Sequence, residues 1–180
     1  LFGAVFLPLK RGIFQDLQDA HPDLFERDNL KAALSLHTRS TRYLTAVASG
    51  EQRHDLQGQP VEAMAPEHVH HALLEVFRRR QTRSKEDLRP KLIARIVQAC
   101  EASGLTPAAY AELVRSRDEA ANAVLDEAMV ELEARAAKTQ ALLQAFKASG
   151  KSVDEFADMY GMDPRAVSRM LARAPATQPE

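Results

Sequence analysis

Tryptophan is absent from this chain, and cysteine occurs once, at Cys100. A single cysteine excludes an internal disulfide framework and fits a reducing compartment, so a cytoplasmic setting is expected. No apolar run approaches the roughly 18 residues that a membrane-spanning helix needs, and no membrane partner is expected. Leu1 to Leu7 is apolar, but it lacks a basic start and is too short for a signal peptide. The first residue is not methionine, so the natural start is expected to lie before it. Glycine-rich phosphate loops, a nucleophile elbow and paired-carboxylate motifs are all missing, so neither an enzyme nor a cofactor is expected. His68, His70 and His71 are the one histidine cluster. On a helix, His68 and His71 sit one turn apart and His70 points elsewhere. No HExxH or cysteine pattern joins them, and no metal is expected.

Hydrophobic residues make up 45% of the 180, enough for a real core. The net charge of −1 hides an asymmetry. Residues 1–97 hold 15 Lys and Arg against 12 Asp and Glu, whereas residues 98–180 hold 9 against 13. Eight basic residues fall between Arg78 and Arg95, and six acidic ones, with no Lys or Arg, between Asp118 and Glu133. A polyanion is drawn to the first half and repelled by the acidic helix. Mixed charge on solvated helix faces is the plainer reading of the same counts.

The periodicity predicts a mostly α chain. A short helix starts at Gly12 with Ile13, Phe14 and Leu17 on one face. Asp28 is the expected cap of a second, with Leu30, Ala33, Leu34 and His37 at helical spacing. Ser40 or Thr41 caps a third, which Gly50 ends. Residues 53–56 and 60–64 flank Gln57-Gly58 as a small hairpin. Pro66 starts a helix through Phe77. The next spans Lys85 to Ser103, where Arg89-Pro90 either splits it or sets its true start. Thr106-Pro107 opens one long helix that ends before Gly150. Within it Leu125, Met129, Leu132, Ala136, Thr139, Leu143 and Phe146 alternate at spacings of four and three, a short heptad seam. That seam could close a hairpin inside the chain, the reading we favour, or join two chains, and the oligomeric state is left open. Residues 174–180 read as a disordered tail.

Cations recur on neighbouring elements of the first half. Lys10 and Arg11 precede a helix start, where free backbone N–H groups favour an anion. Arg27 and Lys31 are one turn apart. Arg39 and Arg42 flank the third helix start, Tyr43 follows at once, and Arg53 lies on the first strand. Tyr43 has two readings, a core tyrosine with a satisfied hydroxyl or a ring offered to a base. Pro8-Leu9-Lys10-Arg11-Gly12-Ile13-Phe14-Gln15-Asp16-Leu17, Leu34-Ser35-Leu36-His37-Thr38, Arg42-Tyr43-Leu44, the turn Gln57-Gly58-Gln59-Pro60 and the helix start Pro66-Glu67-His68-Val69 follow in an order that resembles the ProQ/FinO family of bacterial RNA chaperones over residues 9–77. The resemblance implies a helical RNA-binding domain with a small β-hairpin that grips a terminator-like hairpin and its 3′ single-stranded tail. It implies that Lys10, Arg27, Lys31, Arg42, Tyr43 and Arg53 line that surface, with Tyr43 and Arg53 nearest the 3′ end and Arg27 and Lys31 facing duplex phosphates. Arg11, Arg39, Arg78, Arg79 and Arg80 extend the expected basic surface. Ser35 stands where the family commonly has a basic residue, Thr41 where it commonly has an aromatic, and Leu73 and Leu74 where other members can be basic. The expected partners are small RNAs and mRNA 3′ ends, in post-transcriptional regulation.

Val153 to Leu171 is a second signal, which resembles a helix-turn-helix. Ala157 is small where two helices cross, Gly161 suits the left-handed turn position, Asp163-Pro164 caps the second helix and Val167 faces the core. Arg165, Ser168, Arg169 and Arg173 are then candidate contacts to phosphates or bases, and DNA-binding regulation is the alternative function. The expected organisation is an RNA-binding domain at 1–83, a helical extension at 84–150, the helix-turn-helix-like unit at 151–173 and the tail.

Overall fold

A computed structural model describes residues 5–173, except the side chain of Arg173; the expected tail at 174–180 lies outside the described residues. The chain is mostly helical with one two-stranded antiparallel sheet among the described residues. It forms two compact units, Leu1–Met129 and Val130–Glu180. The sequence pattern puts boundaries at 83 and 150. The first unit instead runs on to Met129, because helices beyond residue 83 pack on the one before it.

In the first unit, α1 (Ile13–Ala20) follows Gly12, whose φ of 82° is a left-handed value that glycine adopts without a Cβ penalty. Helix α2 (Arg27–Thr38) starts one residue ahead of Asp28, so Asp28 lies in the first turn rather than at the cap. Ser40 caps α3 (Thr41–Ala48), its hydroxyl accepting from the Tyr43 N–H at 3.2 Å. Strands β1 (Arg53–His54) and β2 (Pro60–Glu62) are shorter than the hairpin predicted. The carboxylate of Asp55 accepts from the N–H groups of Gln57 and Gln59, each at 2.9 Å. This Asx turn takes residues 55–59 out of the ladder.

Helix α4 (Pro66–Gln81) runs a turn beyond its expected end and packs on α3, on α5 (Arg89–Ser103) and on α6 (Pro107–Val114). It buries Val69, Ala72, Leu73, Leu74 and Val76, so the two leucines that depart from the family pattern are core residues. Arg89 is the true start of α5: Asp87 accepts from its N–H at 2.9 Å, and Gln81 accepts from the Leu88 N–H at 2.8 Å. The single long helix expected from Pro107 is two. Asp118 caps Ala121 at 3.0 Å, and the Asn122 amide exchanges hydrogen bonds with the backbone of Ser116 at 3.1 and 2.8 Å. These local side-chain bonds compete with helix propagation and end α6 at Val114. Helix α7 (Glu119–Ser149) begins there.

The heptad seam is not a continuous packed face. Leu125 and Met129 are buried in the first unit, but every residue from 133 to 141 is exposed, including Ala136 and Thr139. Small seam residues offer too little apolar area to hold a partner helix, and the hairpin reading fails on that stretch. The second unit ends in α8 (Val153–Tyr160) and α9 (Pro164–Arg173).

One buried polar pair ties α6 to α4. His70 and Tyr110 are 3% and 0% exposed, with the Tyr110 hydroxyl 3.3 Å from His70 Nδ1. Burial pushes the His70 imidazole down to about 4, and pushes the tyrosine hydroxyl up. Because the folded value is depressed, the neutral ring's contribution is full above the unfolded value near 6.5 and is lost as pH falls towards 4. Chemical denaturation of the wild type between pH 7 and 4 is expected to show falling stability, and His70→Gln is expected to flatten that slope. Tyr110→Phe is expected to cost about 1 to 3 kcal/mol by leaving His70 Nδ1 without its buried partner.

Candidate nucleic-acid interface

The segment Pro8 to Lys10 crosses beside β1 as a strap. His54 N–H donates to the Pro8 carbonyl at 2.7 Å, and the Lys10 N–H donates to the His54 carbonyl at 2.8 Å. Two of the predicted RNA-contact residues hold the peptide groups of Leu9 between them. The Leu9 N–H donates to the Tyr43 hydroxyl at 3.2 Å, and Arg53 Nη1 donates to the Leu9 carbonyl at 3.0 Å. Tyr43 is 7% exposed, and the Arg53 side chain 12%. Of the two readings of Tyr43, the ring takes the core. Arg53 Nη2 also lies 2.9 Å from His68 Nδ1, and Glu62 lies 4.0 Å from its Nε. A guanidinium can only donate, so His68 accepts through Nδ1 and carries its proton on Nε2.

The strap presents Lys10 and Arg11. Lys10 binds Asp16 at 2.7 Å, and this hydrogen bond holds its ammonium above the usual lysine range. The Arg11 N–H donates to Glu62 at 2.8 Å while its guanidinium, largely exposed, stands 3.8 Å from the same carboxylate. Arg27 and Lys31 are exposed on α2, one turn apart, and neither has an ion pair among the described residues. Arg39 folds back on α2, its Nη2 donating to the Ser35 hydroxyl at 2.7 Å. That places a cation over the position where the resemblance leads one to expect a basic residue.

The arginine run on α4 divides. Arg78 pairs with Glu75 at 2.9 Å and with Asp118. Arg79 donates to the Arg39 carbonyl at 2.7 Å and to Thr41 Oγ1 at 3.1 Å, joining α4 to the start of α3. Only Arg80 of the three is left without an ion pair among the described residues. Arg89 and Arg115 are likewise held, by Glu127 at 2.6 Å and Asp126 at 2.5 Å. The acidic start of α7 thus neutralises the arginines that face it.

Arg80 and Arg42 meet an open groove of about 580 Å³ along α3, lined also by Phe6, Thr41, Thr45 and Glu51. The Arg42 guanidinium lies 6.0 Å from the centre of the Phe6 ring, a cation–π contact worth about 0.5 to 1 kcal/mol at an exposed site. Phe6 stacks on His37 with ring centres 4.8 Å apart and planes 5° from parallel. Burial pushes the His37 imidazole down, so the stacked ring favours its neutral form. A flat ring, two guanidiniums and hydroxyl groups along an open groove can stack a base and neutralise phosphates. Phe6 lies in an apolar start to the chain whose composition gives no sign of a role in the groove. The visible signal was the spacing of Thr41, Thr45 and Ser49, which puts three hydroxyls on the face beside Arg42.

In the second unit, Arg165, Ser168 and Arg169 are exposed on α9; the side chain of Arg173 lies outside the described residues. His70 is buried and His71 exposed, and no cluster of three metal-ligating side chains occurs among the described residues. No described helix is long and apolar enough to cross a membrane.

Residues 1–89 match the model of the ProQ/FINO family. The chain is 42% identical over 89 residues to proteins named RNA chaperone ProQ from Aeromonas salmonicida and Aeromonas hydrophila, covering 44% of this chain and 42% of each relative. It is 45% identical over 67 residues to the RNA chaperone ProQ of Shewanella oneidensis, covering 36% of this chain and 32% of the relative. The chain therefore spans well under half the length of the curated relatives it matches. No solved structure matches it.

The clamp on Leu9 makes opposite demands of two Tyr43 variants. Tyr43→Ala is expected to cost about 3 to 5 kcal/mol, as truncations of buried aromatics do. Tyr43→Phe keeps the ring and loses only the bond to the Leu9 N–H, about 1 kcal/mol. Urea unfolding measures both, and a Tyr43→Ala protein as stable as wild type would remove the ring from the core.

Proposed function

We propose that this chain, whose first 89 residues match the ProQ/FINO family, binds structured RNA that ends in a hairpin and a 3′ single-stranded tail. The observation that carries this reading is the open groove on α3, where Arg42 and Arg80 stand beside the Phe6 ring. The tail lies in that groove, its phosphates near the guanidiniums and one base against Phe6. Arg27 and Lys31 face the phosphates of the stem, and Lys10 and Arg11 extend the contact from the strap. A-form RNA hides its base edges in a deep, narrow groove, so recognition rests on shape, backbone and the free end. Tyr43 and Arg53 act as positioning residues: by holding Leu9 they set where Lys10 and Arg11 stand.

The relatives are named RNA chaperones, and the same role is proposed here. The protein shields RNA 3′ ends and promotes pairing between small RNAs and mRNAs in the cytoplasm, without a catalytic step. Affinity comes mainly from phosphate contacts, so it is sensitive to salt and only loosely sequence-specific.

A hairpin with a 3′ uridine tail is expected to bind more tightly than the same hairpin with a blunt or a 5′-tailed end, in gel shifts at one salt concentration. Equal affinity for the three would remove the 3′-end reading. Arg42→Ala combined with Arg80→Ala is expected to weaken the tailed hairpin about tenfold, and to reduce the salt slope by roughly 1.4 to 1.8 if both residues meet phosphates. An unchanged salt slope in that variant would take the tail out of the groove.

A further inference from the structure

The second unit closes on a helix pair with a core of its own. Phe156, Ala157 and Val167 are fully buried, with Phe146, Met162 and Met170 packed against them. The rings of Phe146 and Phe156 meet edge to face at 5.2 Å. Ala157 is small enough to let α9 approach α8 closely. Gly161, at φ 62°, turns the chain, and the Met162 N–H closes the end of α8 on the Ala157 carbonyl at 2.8 Å. Three residues, Gly161 to Asp163, separate the helices, and Asp163 accepts from the Arg165 N–H at 2.9 Å to start α9. A three-residue connection containing glycine is of the kind that joins the two helices of a helix-turn-helix.

Charge divides cleanly between the two helices. Helix α8 carries Asp154, Glu155 and Asp158, all exposed. Its start is already occupied, since Ser152 and Glu155 form a reciprocal capping box. Helix α9 carries three arginines and no acidic residue. Arg165 and Arg169 stand one turn apart on its exposed face, with Ser168 beside them. Among the described residues neither guanidinium has an ion pair, whereas Arg78, Arg89, Arg115 and Arg135 are each held by a carboxylate. Two exposed guanidiniums one turn apart, without ion pairs among the described residues, on a helix with no acidic residue are complementary to a polyanion.

We propose that α8 and α9 form a second nucleic-acid-binding element whose ligand is double-stranded DNA, with α9 in the major groove. The choice of DNA follows from groove shape. The major groove of B-form DNA, about 12 Å wide, admits an α-helix, whereas that of A-form RNA is too deep and narrow for side chains to read. Within the groove, Arg165 and Arg169 reach phosphates or the acceptor edge of guanine, and the Ser168 hydroxyl donates or accepts between them.

The test uses the full chain and fluorescence anisotropy on three probes: a mixed-sequence DNA duplex, an RNA duplex of the same sequence and the 3′-tailed RNA hairpin, over a series of salt concentrations. Wild type is expected to bind the DNA duplex. The double variant Arg165→Ala, Arg169→Ala is expected to bind it at least about tenfold more weakly, with the magnitude of the salt slope reduced by roughly 1.8 if both contacts are to phosphates. Its affinity for the tailed hairpin should change less than twofold, and its melting temperature should match wild type because both side chains are exposed. The proposal is overturned if wild type does not bind the DNA duplex or if the variant binds it as wild type does. It is also overturned if the loss falls equally on the RNA probes, which would make α9 an arm of an RNA site. Failure of the groove variants on α3 to affect the tailed hairpin would bear on the first unit alone.

Discussion

The peptide of Leu9 is the point on which the first unit's surface depends. Its N–H is held by the Tyr43 hydroxyl and its carbonyl by Arg53, while the flanking backbone pairs with His54. A buried strap must satisfy its polar groups or pay for leaving water, and here a tyrosine from α3 and an arginine from β1 supply what a third strand would. Everything presented nearby follows from this arrangement. Lys10 and Arg11 emerge from the strap's end, Gly12 turns the chain into α1, and Glu62 of β2 meets both Arg11 and Arg53.

Charge is distributed by the same logic of commitment. Arg78 and Arg89 look like part of one basic field in the sequence, yet each is held by a carboxylate. Such exposed pairs contribute little to stability. Among the described residues, Arg27, Lys31, Arg39, Arg42 and Arg80 are the cations predicted on the first unit that have no acidic partner. A run of like charges in a sequence is therefore a poor guide to where a phosphate will be met, because a distant acidic helix can remove members from the field.

Several helix ends were legible from local rules: the Ser40 and Thr106 caps, the Pro66 start and the left-handed turn at Gly161 stand where the sequence placed them. Elsewhere side chains that compete with the backbone decided the outcome. Asp118 and Asn122 divide a stretch whose periodicity alone reads as one helix, and the Asx turn at Asp55 shortens both strands. The seam of α7 shows the limit of periodicity, since spacing assigns a face but says nothing about whether that face finds a partner. Within the site, the identities of Tyr43 and Arg53 were visible while their engagement with Leu9 was not, because that contact spans 34 and 44 residues of chain.

The central claim is that the 3′ tail of a structured RNA lies in the groove beside α3. Photo-crosslinking from a hairpin whose 3′ tail carries 4-thiouridine, followed by mass spectrometry of the joined peptides, tests it most directly. The account predicts crosslinks to the segment holding Phe6 and to α3 around Arg42 and Thr45. Crosslinks confined to α8 and α9, or scattered with no preference for α3, would contradict it.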